Sequence, residues 1–144
     1  MRQAAFAAVA GQTGVAIRHT REALRTAQAL LADIFAGLAT GDHADYTLAA
    51  LVVAHHNLAD LYHAAHLPDQ AAAHVCRAHA TLMSLAANAA NAAEAALGQA
   101  AWRHSRETHA ALLMFVRERG AHPAVVEALE THAGPMAGGR LPRH

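Results

Sequence analysis

The chain has no lysine: all eleven of its basic residues are arginine, and eleven acids bring the formal net charge to zero. Without that amine, a Schiff-base mechanism and the phosphate-binding loop ending in Gly-Lys-Ser/Thr are both excluded. With no cationic excess there is no broad surface to neutralise a phosphate backbone, so nucleic acid is not an expected partner. Cysteine is nearly absent as well. Cys76 alone cannot form an internal bridge, which suits a reducing compartment, and its place on the apolar side of a helical segment reads as a small buried hydrophobe. No uncharged apolar run reaches the ~20 residues a membrane span needs. The opening "MRQAAFAAVAGQ" lacks the leucine-rich core of a signal peptide, so the expected location is cytoplasmic. The only serines, Ser84 and Ser105, lie within helical segments without a strand-turn-helix elbow, which argues against nucleophilic hydrolysis. No enzyme activity, catalytic residue or cofactor is expected.

What the chain does have is alanine, 41 residues of it, with few aromatics and almost no β-branched runs. Alanine loses no side-chain entropy in a helix, so the expected fold class is all-α. At 144 residues the chain makes one domain, able to bury about 70% of the surface exposed by its unfolded form. The glycines of "GQTG" (11 to 14) predict a tight turn after a short first helix. From Val15, the residues Ile17, Leu24, Ala27, Leu30, Leu31, Ile34, Phe35 and Leu38 form an apolar stripe, giving a long second helix that ends at "TGD". Asp42 is placed to cap a third helix over about 44 to 65. Pro68 and Asp69 suit the first turn of a fourth, running to about Ala87. A single long helix is expected from about Asn88 to Arg119, the alternative being two helices broken near Gly98, and Gly120 stops it. His122-Pro123 opens a short last helix carrying Val125, Val126 and Leu129. The expected domain is thus 1 to 133, about six helices, with residues 134 to 144 as a disordered tail.

Leu58-Ala59, Tyr62, Ala71, Val75 and Ala78 share one spacing, and in it this stretch resembles a tetratricopeptide repeat. Small residues let two antiparallel helices approach, while the tyrosine and valine fill the space between them. A fragmentary copy is similar at Gly11, Ala16-Ile17, Thr20 and Ala23-Leu24, preceded only by Ala4 and Ala7. His55 and Met83 stand where the family often has tryptophan and proline, and no third copy is found in residues 86 to 120. The resemblance implies antiparallel helix pairs in a right-handed array; a plain helical bundle is the other arrangement.

Thirteen histidines are the remaining anomaly, six of them between His55 and Leu82. His56, Asp60 and His63 follow one another at i, i+4 and i+7, a single stripe along the third helix. The resemblance implies that this helix lines a groove. The expected function is therefore a non-enzymatic adaptor, binding a peptide or protein through Val53, His56, Asn57, Asp60 and His63. If the two histidines donate to the ligand, binding to an acidic partner should tighten as the pH falls through about 6.5. Arg18, Arg21 and Arg25 form a separate positive band. The alternative is a metal-binding or metal-sensing bundle that uses His56, Asp60 and His63 as ligands. No His-x3-His or Glu-x-x-His supports it, and "AHHNLAD" lacks the lysine and glycine that follow a phosphotransfer histidine. His55, His74, Trp102 and Phe115 read as packing residues. Self-association is a third possibility, because a short array leaves apolar end faces uncovered.

Overall fold

In the computed structural model, five α-helices and one 3-10 turn account for the order α1 (Arg2–Phe35), the turn Gly41–His43, α2 (Ala44–Ala64), α3 (Pro68–Ala87), α4 (Ala92–Arg119) and α5 (Pro123–Arg140). The structure describes the backbone of residues 2–88 and 91–140, and side chains for 9–88 and 91–132. Among these residues there is no strand, so the class is all-α. Among the described residues the α-helices are five, where about six were expected.

The difference lies at "GQTG". Residues 2 to 35 form one uninterrupted helix, with Gly11 and Gly14 in its interior and neither at positive φ. Each glycine costs a helix only about 1 kcal/mol relative to alanine, too little to break a segment with alanine on both sides. The Thr13 hydroxyl bonds back to the Val9 carbonyl at 3.0 Å, which satisfies it without ending the helix. The fragmentary first repeat therefore has no helix pair. Nor does its apolar stripe reach the end that the spacing predicted: Leu24, Ala27 and Ile34 are buried, whereas Phe35 and Leu38 are 46% and 80% exposed. The helix stops at Gly37 (φ +76), whose N–H reaches the Ile34 carbonyl while that of Leu38 reaches Asp33. That pair of bonds satisfies the orphaned carbonyls of the last turn.

α2 begins after His43, not at a cap made by Asp42, and no side chain caps its first turn. Its C-terminal turn repeats the geometry seen at Gly37: Leu67 N–H bonds Tyr62 O, His66 N–H bonds His63 O, and His66 sits at φ +61. Pro68 then opens α3. Asn91 accepts from the Glu94 amide and opens α4. Gly98 is tolerated inside α4 because α3 passes close by: a Cβ there would lie 3.0 Å from the Leu85 carbonyl oxygen. Gly120 (φ +97) ends α4 as the sequence predicts. α5 is helical to Arg140, into the stretch expected as a tail; residues 141–144 lie outside the described residues.

The core runs along α2, α3 and α4. Leu48, Leu51, Val52 and Leu58 of α2 meet Ala71, Ala72, Val75 and Leu82 of α3, and Leu97, Ala101 and Leu112 of α4. α1 covers one side of α2, and Val125 of α5 closes the other end of the cluster. All six repeat-like positions, Leu58, Ala59, Tyr62, Ala71, Val75 and Ala78, are buried. Two packing expectations divide. Phe115 is buried, but Trp102 is 55% exposed and belongs to no core.

Candidate functional site: the groove between α2 and α4

Polar contacts fix how the helices lie against one another. Asp45 near the start of α2 accepts from Arg103 (3.1 Å) and contacts His104 Nε2 (3.0 Å) on α4. Fifteen residues further along α2, Asp60 accepts from Arg119 at 2.7 Å, at the end of α4. α2 and α4 therefore run parallel in constant register. α3 and α5 do the same, through Asp69 with His122 (2.8 Å) and His79 with His132 (ring centroids 4.6 Å apart). The hairpin α4–α5 is thus laid beside the hairpin α2–α3 by a simple displacement.

That displacement leaves a groove of about 390 Å³ between α2 and α4. Its walls carry His56 and Asp60 from α2, and Glu107, Ala110, Ala111, Met114, Glu118 and Arg119 from α4, over a floor of Val75 and Phe115. A second hollow of about 280 Å³ adjoins it at the loops, lined by His63, Pro68, Phe115, Arg119, Gly120, Ala121 and His122. Phe115 and Arg119 belong to both. Arg119 is held in place three ways: by Asp60, by the Ala59 carbonyl at 3.4 Å, and by lying 5.4 Å from the centre of the Phe115 ring.

Of the five residues predicted to bind, only His56 and Asp60 line the groove. His63 lines the second hollow, on the far side of Arg119, so the expected stripe is divided rather than continuous. Val53 and Asn57 are exposed on α2 and line neither hollow. His56 is half-buried, its Nε2 is shut from solvent without a hydrogen-bond partner, and burial lowers its pKa against the opposing pull of Asp60 and Glu107. Asp60 already serves Arg119. Among the described residues no group of three or more His, Cys, Asp or Glu side chains is placed to hold a metal ion. The α4 residues of the groove, Glu107 to Arg119, keep the spacing i, i+3, i+4, i+7, i+8, i+11 and i+12 of one helix face. Nothing in the sequence shows which face of α4 meets α2.

His55, His74 and His79 are structural. His55 and His74 join α2 to α3 through their Nδ1 atoms at 3.0 Å, and Tyr62 stacks on His74 at 5.5 Å. Burial pushes His55 down to about 4, and the neighbouring His74, Arg77 and His56 add to the shift. His79 contacts the Thr108 hydroxyl at 2.8 Å. That hydroxyl already donates to the Ser105 carbonyl (3.1 Å), so its oxygen accepts from His79 Nδ1–H and leaves Nε2 unprotonated, buried and unpartnered. Cys76 is half-buried and packs against the core, its sulfur 3.5 Å from the Ala124 carbonyl, and burial raises its pKa. Arg18, Arg21 and Arg25 are all exposed on α1. A hollow beside Gly11, Gln12, Val15, Ala16 and His19 is lined by that one helix only and has no opposite wall.

Among the described residues no helix is long and apolar enough to cross a membrane. A family model described as a protein of unknown function, DUF2753, matches residues 1–136. The chain belongs to the DUF2753 family. No curated protein matches it, and no solved structure does. For this DUF2753 protein, then, the chemistry of the α2/α4 groove is the direct guide to function.

Proposed function

We propose that this protein is a non-enzymatic interaction module that holds a peptide segment of a partner protein in the groove between α2 and α4. The observation that carries the reading is the constant parallel register of the two hairpins, Asp45 with Arg103 and Asp60 with Arg119. It places two helices side by side over an open, partly apolar channel. The same register, with the six buried repeat-like positions, supports a tetratricopeptide-like arrangement of α2 to α5, in which α2 and α4 are the groove-lining helices. Ion pairs at both ends fix the channel before any ligand arrives, and a preformed groove saves the ligand the cost of ordering it.

The test is a peptide display selection on the folded protein, counter-screened on Ala110→Trp. Ala110 is exposed, so the indole fills the groove without entering the core. Selected peptides that bind the wild type and lose at least tenfold on the variant support the reading. Peptides that bind both alike place the binding face elsewhere. Self-association has one observation in its favour: α1 spans about 51 Å against about 32 Å for α2, and Val9 and Val15 lie exposed along it. A molecular mass that rises with concentration in light scattering supports it; a constant monomer mass removes it.

A further inference from the structure

The charges on the groove say what kind of peptide it takes. Its ionisable lining is Asp60, Glu107 and Glu118 against the single guanidinium of Arg119, with His56 beside them. Arg119 is spent on Asp60 and the Ala59 carbonyl. Among the described residues Glu107 has one ion-pair partner, His104 at 3.6 Å, and that histidine is shared with Asp45. Glu118 has no ion-pair partner among the described residues. The open groove is therefore negative at both ends, with Ala110, Ala111 and Met114 between them.

Resting on the groove reading above, we infer that its occupant is an extended peptide segment carrying two basic side chains four residues apart, with an apolar side chain midway between them on the same face. The spacing comes from helix geometry. Glu107 and Glu118 are eleven residues apart on one face of α4, about 16 Å along its axis. An extended peptide advances about 3.3 Å per residue and turns alternate side chains to one face, so two basic side chains four residues apart leave the backbone about 13 Å from each other on the same face, and their long stems make up the rest. The small side chains of Ala110 and Ala111 leave the middle of the groove open above Val75 and Phe115, which is where an apolar side chain finds contact. The expectation of an acidic ligand is thereby replaced by its opposite: carboxylates, not imidazoles, dominate the open lining, and an acidic ligand would meet them.

Amide-shift titration of the 15N-labelled full chain tests this, with acetyl-Arg-Ala-Leu-Ala-Arg-amide as the probe. The comparison peptides carry glutamine or glutamate in place of both arginines, and a fourth keeps both arginines two residues apart. The expected result is saturable shifts across residues 107 to 119 with the arginine probe. Affinity should fall about 2- to 30-fold on Glu107→Gln/Glu118→Gln, the size of two solvent-exposed charge pairs. It should also fall with the closer spacing and at 0.5 M salt. Both glutamates are exposed, so the variant retains its core, and circular dichroism verifies that. Equal binding of the glutamine peptide at the same amides overturns the charge assignment while the groove reading stands. Stronger binding of the glutamate peptide, or arginine-peptide binding unchanged in the double variant, overturns it as well. No shift with any of the four also overturns it, and the Ala110→Trp counter-screen then decides the groove reading separately.

Discussion

His79 gives the structure a measurable weakness to acid. The ring is 3% exposed, donates through Nδ1 to Thr108, leaves Nε2 buried and unpartnered, and packs at right angles to the His132 ring with centroids 4.6 Å apart. A second proton would have to go on Nε2, where no acceptor waits. Burial pushes the group down from 6.5 to about 4, and His132 and His109 push it the same way. The unfolded chain binds that proton near 6.5 and the folded chain only near 4, so the stability due to neutral His79 is complete above pH 7. It is lost as the pH falls through 6.5 towards 4. Between pH 7.5 and 5.0 the linkage relation gives a loss of about 2 kcal/mol from this residue. His55 and His74 act in the same direction, since burial lowers both. Against a total of roughly 5–15 kcal/mol for a domain, the effect is large. Urea unfolding followed by circular dichroism at pH 7.5, 6.5, 5.8 and 5.0 measures it, in the wild type and in His79→Leu. The variant should lose about 2 kcal/mol less than the wild type over that range, whatever its stability at pH 7.5. Equal pH slopes for the two proteins would refute the assignment of His79 as a buried neutral base.

The double substitution Gly11→Ala/Gly14→Ala should stabilise α1 by about 1–2 kcal/mol, since both positions are helical with nothing near an added Cβ; slower amide exchange across 9 to 18 checks it. By contrast Gly98→Ala should lower the urea midpoint, because the new methyl meets the Leu85 carbonyl at 3.0 Å and a backbone oxygen cannot move aside. His66→Gly should gain about 0.5–1 kcal/mol, by relieving a non-glycine residue at φ +61, and thermal unfolding reads that gain. Leu58→Ala, at 0% exposure, should cost about 2–5 kcal/mol in the same unfolding assay.

Those glycines also mark how far the sequence could be read. Gly120 and Pro68 bounded helices because each acts locally: one admits a positive φ, and the other starts a helix without needing its missing N–H. Gly11, Gly14 and Gly98 look the same in sequence but sit inside helices, and their tolerance is set by neighbouring alanines or by the approach of α3. His66 ends α2 in a conformation that would have been sought at a glycine. The core positions of α2 and α3 were legible through their spacing. Half of the groove was not. His56 and Asp60 could be placed on one stripe, but their separation from His63 by Arg119, a residue 59 positions beyond Asp60, depends on the register of α4 against α2. Among the histidines, His55 and His74 read as packing residues and form a buried polar link between α2 and α3, whereas nothing in the sequence singles out His79, which links α3 to α4.

The groove itself is tested most directly by mapping amide shifts in the 15N-labelled protein on addition of a display-selected peptide. Binding between α2 and α4 predicts shifts concentrated at His56, Asp60 and residues 107 to 119, abolished in Ala110→Trp. Shifts confined to the exposed face of α1 around Arg18, Arg21 and Arg25, with residues 107 to 119 unmoved, would contradict it.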